Sequence, residues 1–501
     1  MPTCMKLRLL LMLIGFYCVG FAQTEKKRLA LVRLDNKYGF IDPAGREIIP
    51  LIYDDAGAWG NNLVPVNIGK YTPDYGPPKI YIDPGSLNPK GDAKVNEQYK
   101  PIEFKKPENG KWGYCNTLGQ LVIPIQFTKA TFFNEGMAGV KVDGKWGFID
   151  IKGKLVVQPI YDTVGYFSQG LAMVAKDDAY GYVNLKGDEV IKLQYVGAET
   201  FEKGYAIVYE KHEFKTTLQK SIGRLINLKG KMITDAKYDI RYNFSNGLIS
   251  FTVPDGDYSY GLMNTSGQII KQPVYREISD FYNGLAKVMV YKKDNVYDEY
   301  FSNYGYIDIN GKELIKPSFA LADDFNYGLA TVARFDDKDD GIMDRALINT
   351  KGAFVISYKY QQLTMLDANH FLARVNKNEY QIEDMIINAQ GKKIKSLNNK
   401  GVDNLGNGLF VIKNENNEPI GLVGLNKQIT FDVAQNKNRN FVSYQFGLIR
   451  FHNATSTYEE RRELEEGIAK IKLGLLDLKG KVIIMPKYNE IANFELTTNN
   501  P

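Results

Sequence analysis

Apolar residues in this chain come in short runs. Between one glycine and the next proline the longest run is four or five residues, built mostly from Tyr, Phe, Ile and Val. Such runs are too short for helices, and their β-branched and aromatic content suits strands. Leu171-Ala172-Met173-Val174 and Leu285-Ala286-Lys287-Val288 are two of them. Polar turn residues punctuate the runs at regular intervals. Val142-Asp143-Gly144-Lys145 sets Asp-Gly between two strands, the favoured two-residue hairpin. The pattern predicts strand after strand joined by tight turns.

The intervals have one phase. Lys111-Trp112-Gly113-Tyr114 recurs as Lys145-Trp146-Gly147-Phe148-Ile149-Asp150, Tyr180-Gly181-Tyr182-Val183-Asn184 and Tyr304-Gly305-Tyr306-Ile307-Asp308. Tyr38-Gly39-Phe40-Ile41-Asp42 is the first copy, and weaker ones sit at Gly223, Gly261, Gly421 and Gly474. Ala346 and Met385 hold the glycine's place in two more, making eleven anchors. Counting from each anchor, a turn glycine follows at +6, as at Gly45, Gly119 and Gly153. A proline follows at +11 or +12 (Pro50, Pro124, Pro159), and an aromatic at +14 (Tyr53, Phe127, Tyr161). A large aromatic follows at +20 (Trp59, Phe133, Phe167), and a third glycine at +23 (Gly136, Gly170, Gly204). Self-similarity at a fixed period is the mark of a repeat architecture.

This phase resembles the bacterial WG-containing β-repeat, with its Trp-Gly, Gly-Lys turn, Pro, Tyr-Asp and Phe-x-x-Gly-Leu-Ala. The resemblance covers residues 29–494, is close at Gly113 to Gly204 and at Gly261 to Gly328, and is degenerate over about 346–447. It implies a repeat protein of exported or surface type, usually without an assigned activity, and supplies no catalytic residues.

The expected fold is all-β: about eleven three-stranded WG-type repeats stacked as an open, solenoid-like array. Each unit reads as strand C, strand A (Trp146 to Asp150), a turn at Gly153, then strand B (Leu155 to Val157). Three short strands cannot bury a core alone, so units must stack on neighbours. A closed propeller-like ring is the alternative, because Leu29-Ala30-Leu31-Val32 is an early strand C and the last copy ends near Phe494 without one. Three stretches break the period. Residues 67–109 are a proline-rich insertion expected to be an ordered excursion or lid. Lys292 to Ser302 is short and charged, and Thr457 to Lys470 reads as a short helix capped by Thr457.

Composition changes this picture in two ways. The 501 residues carry net charge +5, less two once Lys6 and Arg8 leave, which is little for a nucleic-acid binder. There are 33 Tyr and 26 Phe against 3 His and 3 Cys, so imidazole and thiolate chemistry has little material. Residues 1–22 read as a signal peptide: Lys6 and Arg8, an apolar Leu9 to Phe21, then small residues before Gln23. The expected location is extracytoplasmic, with residues 23–501 as the array and no membrane segment left. Cys115 is then the lone thiol, a small buried strand residue.

No catalytic or metal residues are expected, no cofactor, and binding residues stay unknown. His212, His370 and His452 fall at unrelated phases and read as surface or loop histidines. Asp336 to Asp344 imitates a calcium loop, but Lys338 stands in a ligand position and Leu347 where a bidentate Glu belongs. The expected function is a non-enzymatic scaffold for a protein or cell-envelope partner. The alternative is a glycan- or peptidoglycan-binding module that uses exposed aromatics.

Overall fold

A computed structural model describes residues 27–75, 103–212, 221–243, 246–254, 256, 259–291, 302–335, 343–378, 381–397, 401–406, 409–413, 419–424, 439–453 and 472–497. The leader, the helix expected over Thr457 to Lys470, most of the Asp336 loop and the Lys292 excursion lie outside these residues. Every described element is a strand. The strands form eleven separate antiparallel sheets, none closed into a barrel, numbered here in chain order.

Sheet 3 shows the pattern. Its strands are Lys129–Ala130, Met137–Val142, Lys145–Asp150 and Leu155–Tyr161, each hydrogen-bonded to the next. The second, third and fourth are the expected C, A and B. All eleven sheets carry, beside strand C, a strand that the three-stranded unit did not include, and among the described residues sheets 5 and 10 have three strands, none of them strand B. Often that added strand is only two residues long, as at Thr163–Val164, too short to leave a period in the sequence. Strand B also runs beyond its expected end, through Pro159 to Tyr161.

All eleven anchors fall on strand A of their sheets, and the degenerate region supplies sheets 9 and 10 like the rest. One anchor moves. Gly39, Gly113, Gly147, Gly181, Gly305 and Ala346 each pair with a Val of strand C, and in sheet 5 the residue so paired is Arg224, opposite Val208. The turn glycine Gly230 lies at +6 from Arg224, not from Gly223. The neighbouring glycine masked the true phase.

Both faces of each sheet are buried because the strands alternate between two neighbours. Phe148 packs with Val174 and Val183 of sheet 4, while Ile149 packs with Tyr114 and Phe127 of sheet 2. Each core thus belongs to an interface, which is why a unit cannot stand alone.

The ends of the array meet. Strand Glu490–Leu496 pairs with Arg28–Leu34 as the fourth strand of sheet 1, with Phe494 opposite Ala30 and an ion pair from Arg33 to Glu490 at 3.2 Å. Leu475 and Tyr488 of sheet 11 pack against Val32 and Ile41 of sheet 1. The early strand and missing last one noted in the sequence are this pair. The proline-rich stretch begins and ends as antiparallel strands, Leu63–Tyr75 with Glu103–Asn116, paired out to Tyr75 opposite Glu103 with one register shift between Ile68 and Lys70. Residues 76–102 lie outside the described residues.

Candidate functional site

The phased residues are the first candidates, and their geometry assigns most of them to packing. At the anchor, the outer strand bulges over the glycine. Trp146 pairs with Tyr161 and Phe148 with Val157, so the outer strand carries two extra residues opposite Gly147. A β-carbon on Gly147 would sit 2.4 Å from the Val157 carbonyl oxygen. The same contact is 2.5 Å at Gly39, Gly113, Gly305 and Gly474. Pro159 sits in the bulge, where no ladder N–H is required of it. Glycine and proline keep one phase because they make one bulge. Where Met385 replaces the glycine, pairing continues evenly from Met385–Ser396 to Ile386–Lys395.

The aromatics at +14 and +20 are core. Phe133, Phe167 and Phe201 are fully buried, as are Tyr275, Tyr360 and Tyr488 to within a percent or so. In five sheets the +20 ring meets the ring beside the anchor edge-on, as in Phe148–Phe167 at 4.8 Å, Tyr182–Phe201 at 4.7 Å and Tyr306–Phe325 at 4.7 Å. For Phe281 and Phe494 the residue beside the anchor is Leu262 or Leu475. Tyr114, Tyr182 and Tyr306 then donate from their hydroxyls to the carbonyls of Thr131, Glu199 and Asp323. Burial holds these phenols neutral by raising their pKa values. Rings spent this way are not available to stack on a glycan.

The ring before the anchor is different. Tyr38, Trp112, Trp146, Tyr180, Tyr260 and Tyr304 are half-buried, one per sheet, each opposite the +14 residue of the outer strand. In sheet 8 this position, opposite Tyr360, is Arg345.

Among the described residues, clefts open between sheets at two places lined in part by arginines. One, about 560 Å³, lies between sheets 5 and 6 beside Glu199, Tyr209 and Arg241. The other, about 730 Å³, lies between sheets 8 and 9 and is lined by Arg345 and Arg374. In sheet 5, Arg224 is buried at its anchor slot and donates to the Thr234 carbonyl at 2.7 Å and to Glu210 at 3.1 Å. Sequence reasoning missed both arginines, although each departs from the type its phase requires.

The remaining expectations resolve individually. Cys115 is fully buried, 3.2 Å from the Tyr53 hydroxyl, and burial raises its thiol pKa. His370 is not a loop residue: it opens strand His370–Asn378, and its Nδ1 lies 2.8 Å from Asp367 Oδ1. His452 is in strand Leu448–Asn453 with Nδ1 2.8 Å from the Asn453 carbonyl, and His212 follows strand Tyr205–Lys211. Among the described residues, the three histidines form no cluster with Cys, Asp or Glu that could hold a metal ion.

Fold and phase together define a tandem all-β repeat protein. The WG-containing repeat family matches residues 38–71, 112–146, 146–178, 180–211, 224–253, 260–293, 304–338, 347–380 and 474–495, more than half the chain. The chain belongs to that family. The anchors Met385 and Gly421, in phase in the sequence, lie outside these segments and fall on strands of sheets 9 and 10. No curated protein matches the chain. Among solved structures it is similar to a eukaryotic initiation factor (11% identity over 73% of this chain and 99% of that one, TM-score 0.32). It is also similar to the tricorn protease (10%, 91% and 58%, TM-score 0.26) and to AztD from Citrobacter koseri (11%, 74% and 94%, TM-score 0.22). Likeness at that level carries no functional argument.

Proposed function

We propose that the protein is an exported, non-enzymatic interaction scaffold that binds a protein or cell-envelope partner along an extended surface. The observation that carries this reading is the division of labour within each repeat. Residues common to the copies lie inside, making bulges, turns and inter-sheet cores. Other side chains of each copy lie on the surface, among them the exposed Ile52, Ile160 and Val274 at one phase, and a row of similar units offers many weak contacts that add by avidity. Export is supported by the basic and apolar segment before Gln23.

The test is recovery of the mature protein's partner from envelope extracts, with and without a peptidoglycan competitor. A single protein recovered repeatedly, and undisturbed by the competitor, supports the reading. Loss to the competitor moves the assignment to a glycan-binding module. Turnover of a substrate that one polar substitution abolishes would overturn it. Cell fractionation with N-terminal sequencing checks export, and an intact N-terminus in the cytosol defeats that part.

A further inference from the structure

The repeats serve as each other's controls: a position that departs from its phase without a packing reason marks something packing does not require. Arg345 is such a position. Six other sheets put a half-buried Tyr or Trp there, opposite the same +14 aromatic, and sheets 5, 9, 10 and 11 put Gly223, Asp384, Ile420 and Leu473. Only sheet 8 puts a cation there, keeping the partner, Tyr360, fully packed. Arg345 lines the cleft of about 730 Å³ between sheets 8 and 9.

The polar groups of this cleft are held in place. Arg345 donates from Nε to the Gln361 carbonyl at 3.3 Å, its one side-chain hydrogen bond among the described residues. Among the described residues no carboxylate comes within ion-pair distance of it. Gln361 is fixed in turn: its Nε2 donates to Asp344 at 3.3 Å and its Oε1 accepts from the Asn376 N–H at 2.8 Å. The second arginine is already committed, with Arg374 bound through two nitrogens to Asp384 at 2.7 and 3.0 Å. Leu363, Met365 and Ile382 supply the apolar part of the wall.

We propose that this cleft binds a carboxylate-bearing ligand, with Arg345 as its ion-pairing group. An arginine fork matches the two oxygens of a carboxylate. Arg345 already feels the Asp323 carboxylate in the same cleft, from beyond ion-pair distance; that charge opposes any anion there, and a phosphate dianion more than a singly charged carboxylate. The apolar wall suits the carbon chain that a carboxylate brings with it. The carboxylate could belong to an acidic peptide or to a free small acid. The proposal does not depend on the scaffold reading.

Isothermal titration of the full chain tests it with three probes: a Glu-Glu-ending hexapeptide, its Gln-Gln amide counterpart, and glutarate. The informative variant is Arg345→Tyr, which restores the ring of the six other sheets and should fold at least as well. Thermal melting checks this, and exposed Lys351→Ala controls for loss of one positive charge. The expected result is binding of the acidic peptide, of glutarate, or of both. It should fall about ten-fold or more in Arg345→Tyr and stay unchanged in Lys351→Ala, the scale of a lost charge-assisted hydrogen-bonded pair. Peptide binding alone assigns the ligand to a protein partner, and glutarate binding alone to a small acid; both support the site. Equal binding of the Gln-Gln amide, undiminished binding by Arg345→Tyr, or no binding of either acid at millimolar concentration would overturn it.

Discussion

Gly147 and Phe167 show how one residue's chemistry fixes its repeat. Gly147 needs no unusual dihedral; it needs the absence of a β-carbon beneath the Val157 carbonyl, with the Pro159 nitrogen 2.8 Å away. Both neighbours are backbone, so only a shift of the outer strand makes room. Sheet 8 shows that the shift exists, because Ala346 sits under the same bulge, between Arg345–Tyr360 and Leu347–Ile356. Gly147→Ala is therefore expected to fold and to lose about 1–3 kcal/mol, the usual cost of overpacking. Denaturant titration measures it, and a neutral result would mean the bulge does not set the anchor. Phe167 is fully buried against Phe148 and the second strand of sheet 4. Phe167→Ala should cost about 3–5 kcal/mol. His370, half-buried and bonded to Asp367, serves as a poor silent control despite its surface reading; an exposed turn residue such as Lys152 serves better. Hydrogen exchange would place the Phe167 damage at sheets 3 and 4. Equal loss in distant sheets would show that the phased rings do not act locally.

At the scale of elements, the turn between strands A and B repeats most faithfully, and it was only half legible. The +6 glycine announced itself, and Gly45, Gly119, Gly153 and Gly187 all have φ between 79° and 90°. Such a φ is natural to glycine alone. The other half is the Asp or Asn at +3, visible in the motif without an evident role. In sheet 3, Asp150 Oδ1 accepts from the N–H groups of Lys152 and Lys154, both at 2.9 Å. Asn116, Asn184, Asn227, Asn264, Asn349 and Asn388 make the same pair of bonds. Only the side-chain oxygen matters, so Asp150→Asn should be nearly neutral. Asp150→Ala should lose about 1–2 kcal/mol, two modest hydrogen bonds. Thermal unfolding of the pair of variants decides, and equal losses would point to charge instead. A second set of side-chain bonds joins turns of successive sheets and left no periodic signal. Glu135 accepts from Gln169 and Gly170, Gln169 accepts from Gly204, and Asn283 accepts from Gly328. Glu, Gln and Asn share the role because an oxygen acceptor is all it requires. Period reveals type, and a position filled by several types stays hidden. The same blindness hid Arg224 and Arg345, where phase was kept and chemistry changed.

For the whole molecule, the telling contact is the one between the chain's ends. Sheet 1 owns three strands from the N-terminal side, and its fourth comes from Glu490–Leu496, more than four hundred residues away. An edge strand without that partner would expose a row of unpaired N–H and C=O groups on Arg28–Leu34. It would also uncover Ala30 and Val32, which are fully buried beside Ile491 and Phe494. Removing residues 490–501 thus takes no strand from sheets 2 to 11, although the Asn62 turn of sheet 2 loses its two hydrogen bonds to Thr497, both 3.0 Å. The expected outcome is fast hydrogen exchange confined at first to residues 28–41 and the facing side of sheet 11, with protection retained around Phe167. Exposure of the free edge should add self-association, seen by light scattering as mass rising with concentration. Full protection of residues 28–41 in the truncated chain would show that stacking alone holds sheet 1. The comparison also separates the two ways an array can be stable. If protection falls off gradually from the cut, nearest-neighbour interfaces dominate. If all eleven sheets lose protection together, the joined ends make the array one cooperative unit.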